Sequence, residues 1–222
     1  MNEEQNQNQR DVADMITTKN SRGCIRCLNI IGTIEGHALL PQGTKSTKYE
    51  HVMPQLVEVE EDEEIDGLLV LLNTVGGDVE AGLAIAEMIS GLSKPKVSLV
   101  LGGGHSIGVP LAVSADISFI ARSATMTVHP MRTNGVVIGV SQSFEYMKRM
   151  QDRITDFIVR NSKIDNETYK KLMLTTDEIA NDVGSVLFGE KAVEYGVIDR
   201  VGSLSEAMDA LYSLIDKRKK RN

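Results

Sequence analysis

The sequence predicts an α/β fold with a largely parallel sheet, and three observations carry this prediction. Two continuous apolar runs, Gly67–Leu72 and Val97–Leu101, are typical of strands that are buried on both faces. A glycine-rich turn follows each run. An apolar helical pattern then follows each turn, over Ala81–Leu92 in the first case and through Ala115 in the second. A repeated strand–glycine–helix unit is what parallel strands with helical crossovers produce.

The remaining elements are assigned in chain order. A strand is expected near Cys27–Ile31, and the polar, Pro- and Gly-containing segment Leu39–Lys48 is expected to be a loop. A helical stripe covers Tyr49–Glu60. After the second unit, Ile117–Ile120 and Thr125–Val128 are predicted as two short strands.

The second half of the chain is predicted to be more helical. Ser141–Ser162 carries apolar residues along one face, which is typical of a core or subunit contact. Ser203-Leu204-Ser205-Glu206 is a capping-box pattern that opens the last helix. We expect a disordered polar tail over residues 1–22, one folded domain over 23–216 and a basic tail over 217–222.

Composition excludes several classes of function. The chain has 222 residues and a net charge of −7 without a basic stripe, which argues against nucleic-acid binding. It contains no apolar run long enough to span a bilayer and no secretory signal, so we expect a cytoplasmic protein without stable membrane insertion. Cys24 and Cys27 have only His37 nearby, too few ligands for zinc, and are interpreted as structural thiols in a reducing compartment.

Gly104-His105-Ser106-Ile107-Gly108 is the segment richest in chemistry. It places a serine on a tight turn between a strand and a helix, where free backbone N–H groups suit a developing oxyanion. The pattern matches the G-x-S-x-G elbow of α/β-hydrolases, whose triad runs serine, acid, histidine. Only His129 follows Ser106, so that order would need Asp116 as the acid, and the order Ser106, His129, acid fits better.

His129 and the glycine turns each have a second interpretation. His129 is also compatible with a hydrogen-bonded structural histidine, and His105 is a poor base for Ser106 because adjacent residues on a helix do not face each other. The two glycine turns could belong to a dinucleotide- or phosphate-binding loop, but Gly102-Gly103-Gly104 lacks the G-x-G-x-x-G spacing and no Gly-Lys-Ser/Thr follows. Gly76-Gly77 is better interpreted as a second oxyanion donor and a groove for an extended peptide.

Four motifs together resemble the Clp protease proteolytic subunit family, known as ClpP, and they occur in the family's order over about residues 24–202. They are the turn Asn73–Val79, the serine motif Gly104–Gly108, the histidine segment Met126–Pro130 and the ending Glu190–Asp199. The resemblance implies the following site: catalytic Ser106, His129 and Asp182, an oxyanion hole from Gly77 and Ile107, and substrate-binding Gly76 and His105. Choosing Asp182 requires about two extra residues after it. Without them Gly184 occupies the acid position, and Asp177 is the reserve.

The family also implies the larger architecture. We expect a ClpP/crotonase-like ββα spiral with a helical handle, assembled into heptameric rings that stack in pairs. The expected activity is serine-type endopeptidase cleavage of unfolded peptides in the ring chamber, fed by an AAA+ ATPase and without a metal or organic cofactor. The run Leu71–Pro110 is most similar to the family's translocation-enhancing branch, which adds an expected role in protein export.

Departures from the family pattern keep two other functions open. Val75 replaces a family proline and Leu39–Lys48 looks inserted, which weakens the expectation of ATPase docking. The acid of the site is not fixed by the motifs, and the polar N-terminus does not resemble the family's axial gating segment, so a ring-forming interaction protein for secretion with vestigial catalysis is one alternative. An acyl-CoA-handling crotonase relative is the other, although crotonases rely on paired backbone amides and usually carboxylates rather than a serine–histidine pair.

Overall fold

The structure, a computed structural model, describes residues 15–133, 135, 138–177 and 182–221. Nine strands and seven helices are assigned within these ranges. The strands are β1 Met15–Asn20, β2 Gly23–Glu35, β3 Ser46–Lys48, β4 Gly67–Gly77, β5 Lys96–Gly104, β6 Ile117–Ile120, β7 Thr125–Val128, β8 Ser185–Phe188 and β9 Arg200–Val201. The helices are α1 Tyr49–Glu61, α2 Val79–Gly91, α3 Gly108–Val113, α4 Val140–Arg160, α5 Asn166–Met173, α6 Gly189–Glu194 and α7 Leu204–Lys219.

The main sheet has the order β1-β2-β4-β5-β6-β9. All neighbours from β2 to β9 in this order are parallel, as the strand–glycine–helix units predict. The edge strand β1 is antiparallel to β2, with Ile16 opposite Cys27 and Thr18 opposite Ile25. Residues 15–20 were expected in the polar tail, and the structure corrects this boundary because their β-branched residues extend the sheet. Residues 1–14 lie outside the described part.

Two apolar layers cover the sheet. On one face, the strands pack against α1, α2 and α3 through the larger core cluster, which includes Leu56, Ile85 and Val109. On the other face, α7 packs on the central strands through a second cluster with Leu211 and Ile215. The last helix opens with the predicted capping box between Ser203 and Glu206. It also extends through Lys219, so part of the predicted basic tail is helical.

A small second layer projects beyond this sheet. Strands β7 and β8 pair antiparallel, and β7 joins the end of β5 through Gly103 and Thr125. The long helix α4, predicted over Ser141–Ser162, is the handle, and it packs on α3 and α5. The carboxyl ends of β4, β5 and β7 therefore meet at one place, beside the handle. In the described part of the chain, no helix combines the length and apolar character needed to cross a membrane.

Candidate active site

Ser106 lies on a strained turn between β5 and α3. Its φ is 57°, and it is the only described residue other than glycine in the left-handed region. The turn is held in place because the Ser106 N–H donates to the Thr127 carbonyl (2.9 Å) and the Ser106 carbonyl accepts from the Val109 N–H (3.0 Å). Such a conformation costs on the order of 1–3 kcal/mol and persists where its surroundings enforce it, often at functional sites.

The glycine turn at the end of β4 approaches this serine closely. Gly76 has a φ of 92°, and a Cβ atom added there would lie 2.6 Å from the Cβ of Ser106 and 2.9 Å from the His105 carbonyl oxygen. A side chain at position 76 would therefore displace the serine turn. Gly76, predicted as a substrate-binding residue, is placed by the structure against the serine turn itself.

Most residues of the predicted site line one cavity of about 220 Å³. Its walls include the predicted nucleophile, the predicted base and both predicted oxyanion residues. Apolar side chains and one buried tyrosine complete them. The lining residues are Ser106, His129, Gly77, Ile107, Val75, Val79, Met131, Ile154, Tyr169 and Arg132. The cavity thus brings together residues from β4, the β5–α3 turn, the end of β7 and the handle.

His129 follows directly after β7, and a hydrogen bond defines the state of its ring. Its Nδ1 atom lies 2.7 Å from the carbonyl oxygen of Pro130. Because a carbonyl oxygen can only accept, Nδ1 carries the proton in this contact and Nε2 of the neutral ring is left with a lone pair. This is the tautomer that a base for a serine hydroxyl requires. Among the described residues, Ser106 Oγ has no hydrogen-bond partner, and such contacts often tighten only when substrate binds.

The structure does not join Asp182 to His129. The Asp182 carboxylate forms an ion pair with Arg132 and accepts a hydrogen bond from the Val183 N–H (2.8 Å). Asp177 is exposed, and its carboxylate accepts from the hydroxyl of Thr176 at 3.4 Å. The role of Asp182 as the acid of the site, with Asp177 in reserve, stays a prediction.

Gly184 lies beside His129. Val128 pairs with Ser185, and the next position along this ladder brings Gly184 next to the histidine. A Cβ atom on Gly184 would lie 2.8 Å from the Cβ of His129 and 2.4 Å from the Val128 carbonyl oxygen, and the φ of Gly184 is +138°. The residue nearest to the histidine on this strand therefore has no side chain, and no acid fits there on the present backbone.

His105, predicted as a substrate-binding residue, is outside the set that lines the cavity. Its Nδ1 atom lies 2.8 Å from the hydroxyl of Thr127. A Cβ atom on Gly103 would lie 2.5 Å from its Nε2 atom, so the ring lies against that glycine. Burial lowers the pKa of the His105 imidazole below its usual value of 6.5, and protonation of the nearby His129 lowers it further. His105 is therefore neutral at pH 7.

Sequence reasoning missed the groups that support the site. Asn73 accepts from the Gly103 N–H (3.0 Å) and joins the ends of β4 and β5. The hydroxyl of Thr74 donates to the Gly32 carbonyl (2.6 Å) and accepts from the Gly76 N–H (3.0 Å). Two polar residues at the end of a buried apolar strand were a signal for this role. Arg132 and the Pro130 carbonyl had no comparable signal. Across the described ranges, no group of three His, Cys, Asp or Glu side chains could hold a metal ion.

The sequence profile of the Clp protease family matches residues 21–205. The chain belongs to the Clp protease family. A translocation-enhancing protein, TepA, of Halalkalibacterium halodurans is 55% identical over 194 residues, which cover 87% of this chain and 76% of that relative. The ATP-dependent Clp protease proteolytic subunit of Leuconostoc citreum is 26% identical over 160 residues, covering 68% of this chain and 74% of its own.

A solved structure shows the same fold. A ClpP1 point mutant from Listeria monocytogenes superposes with a TM-score of 0.66, at 20% identity, over 82% of this chain and 94% of its own. The expected ClpP-like α/β fold is confirmed.

Proposed function

We propose that this Clp-family chain is a serine endopeptidase in which Ser106 is the nucleophile and His129 the general base. One observation carries the proposal: a single cavity is lined by the strained Ser106 and by His129 with its proton on Nδ1. Gly77 of the glycine turn and Ile107 at the start of the helix line the same cavity. A serine is a weak nucleophile unless a neighbouring base activates it, and this cavity provides both groups.

The chemistry follows from the positions of these groups. Nε2 of His129 takes the hydroxyl proton as Ser106 Oγ bonds to the peptide carbonyl carbon. The N–H groups of Gly77 and Ile107 donate to the oxygen that becomes negative. The imidazolium then gives the proton to the departing amine, the C–N bond breaks, and an acyl-enzyme remains. Water, deprotonated by His129, releases the acid product and restores the serine.

The walls of the cavity indicate the substrate. Val79, Met131 and Ile154 are apolar, and the buried Tyr169 adds an aromatic surface. Such a cavity favours an apolar side chain next to the cleaved bond, and an unfolded peptide can present one. Heptameric rings stacked in pairs, an AAA+ ATPase that feeds them and a contribution to protein export belong to the same proposal, supported by family membership and by the name of the translocation-enhancing relative.

The direct test is covalent labelling by a fluorophosphonate, which reacts with activated serines. The wild-type chain should be labelled at Ser106, as located by peptide mass spectrometry. The variant Ser106→Ala should lose the label. The matched control Ser123→Ala changes an exposed serine and should keep it. A wild-type chain that stays unlabelled in assembled rings would refute the peptidase proposal.

A second function is favoured by the surroundings of His129. Gly184 is the residue beside the histidine, and the Asp182 carboxylate is paired with Arg132. This arrangement fits a ring-forming interaction protein with weak catalysis. In a strain that lacks the chain and shows an export or growth defect, Ser106→Ala separates the two functions. Full complementation favours the interaction protein, and failure to complement favours the peptidase.

A further inference from the structure

Resting on the proposed serine chemistry, we propose that a peptide group held by the handle, rather than a carboxylate, orients His129. The Pro130 carbonyl accepts from Nδ1 of His129 (2.7 Å), and the N–H of the same peptide unit belongs to Met131. That N–H donates to Oε1 of Gln151 on α4 (2.7 Å). Gln151 is thus a positioning residue that acts on the histidine through one peptide plane.

The two hydrogen bonds reinforce each other. A peptide N–H that donates strongly makes the carbonyl of its own unit a better acceptor, because hydrogen bonds in a chain polarise one another. The proline ring fixes φ of residue 130, so the carbonyl can turn away from the histidine only by rotation about ψ. The Gln151 backbone carbonyl also accepts from the Thr155 hydroxyl (3.0 Å), one turn further along α4.

In the described part of the chain, neither Asp182 nor a side chain at position 184 takes this position. Gly184 leaves no room for a Cβ atom, and its own N–H is bound to the Thr175 carbonyl (2.7 Å). Asp182 is occupied by Arg132 and by the Val183 N–H. A neutral peptide acceptor sets the tautomer of the imidazole, and it stabilises the imidazolium less than a carboxylate would. The arrangement therefore predicts that His129 is correctly oriented as a base but supports only a slow reaction.

The proposal also connects the handle to the chemistry. Gln151 lies in the middle of α4, whose amino-terminal half exposes apolar residues such as Val140 and Phe144. A displacement of α4 would pull the Met131 N–H and, with it, the carbonyl that orients His129. The base is then correctly oriented only while the handle holds its place.

Fluorophosphonate inactivation kinetics of the full chain test the positioning role. Gln151→Met removes the acceptor at similar volume, and we expect kinact to fall about tenfold, the worth of one neutral hydrogen bond, with KI unchanged. Gln151→Glu keeps an acceptor and should restore kinact. Gln142→Met, on the exposed part of the same helix, is the matched control and should match the wild type. A Gln151→Met variant with wild-type kinact would overturn the proposal.

Asp182 supplies the opposing test. Asp182→Asn should keep kinact within about threefold, and Asp216→Asn, at an exposed aspartate on α7, serves as its control. Loss of a true triad acid reduces turnover about 10⁴-fold, so a fall of that size in Asp182→Asn alone would overturn the proposal and leave the peptidase function standing.

A readout independent of activity separates the two proposals. In ¹⁵N spectra of the histidine-labelled chain, His129, assigned with His129→Gln, should show the Nδ1-protonated tautomer. Gln151→Met should mix the tautomers, whereas Asp182→Asn should not. If the wild-type chain does not react with the fluorophosphonate but its His129 shows this tautomer pattern, the peptidase proposal fails and the orientation of His129 by the handle stands. If Asp182→Asn changes the tautomer, the orientation by the peptide fails.

Discussion

Replacing Gly76 by alanine should strongly reduce the reactivity of Ser106 while it destabilises the fold only modestly. Two effects act at this position. The φ of +92° belongs to a region where a Cβ atom costs roughly 1–2 kcal/mol. In addition, the new Cβ would lie 2.6 Å from the Cβ of Ser106, whereas ordinary contact begins at 3.4 Å, so the two turns must separate by about 0.8 Å.

The chain contains a control for the first effect. Gly43 has a φ of +90°, almost the same as that of Gly76, yet nothing lies within 4 Å of a Cβ atom added there. Gly43→Ala therefore has the backbone strain without the collision. Both variants should lose about 1–2 kcal/mol of unfolding free energy from strain, measured by urea denaturation. Gly76→Ala should lose somewhat more because the collision adds to the strain.

The difference in reaction rate between Gly76→Ala and Gly43→Ala measures the effect of the close approach of Gly76 to Ser106. A misplacement near 1 Å at a reacting group reduces rates about 100-fold, so the fluorophosphonate kinact of Gly76→Ala should fall roughly 10- to 100-fold. Gly43→Ala should react at the wild-type rate. Equal rates in the two variants would refute the argument that Gly76 is required because of its contact with the nucleophile.

Two further predictions concern stability. Thr74→Val removes the hydroxyl that binds both the Gly32 carbonyl and the Gly76 N–H, so the unfolding free energy should fall by about 2 kcal/mol. Thr74→Ser keeps a hydroxyl and should retain most of the stability. At Asp199, burial alone would raise the pKa, but hydrogen bonds from Lys163 and Ser118 outweigh it and lower the pKa below 3.8. The stability from this carboxylate is therefore present above pH 3.8 and lost as pH falls below it. Urea titrations at falling pH should show a smaller loss of unfolding free energy in Asp199→Asn than in the wild type. Equal losses would contradict the lowered pKa of Asp199.

The sequence predicts well what local pattern determines. The runs over β4 and β5 are uniformly apolar because both faces of these strands are covered, and each ends in glycines that the close approach of two turns requires. Ser106 and His129 could be paired from their order and from their places at the ends of predicted strands. The structure places both in one cavity.

The groups around His129 could not be predicted in this way. A backbone carbonyl such as that of Pro130 has no residue signature, since every residue carries one. Gln151 is twenty positions from the N–H that it binds, and one glutamine on an amphipathic helix gives no sign that it binds a backbone N–H. Asp182 was chosen from its distance along the chain to a motif, but its partner Arg132 is set by tertiary packing.

The register of two short strands explains why Asp182 does not reach the histidine. Met126 pairs with Leu187 and Val128 with Ser185, which leaves Gly184 beside His129. A shift of two residues would bring Asp182 to that place and keep each side chain on its face of the sheet. It would also put the fully buried Ser185 opposite Met126 and break the hydrogen bond from Ser185 Oγ to the Leu172 carbonyl (2.8 Å). The core therefore selects the register that excludes the carboxylate, and the orientation of the histidine falls to the peptide that the handle holds.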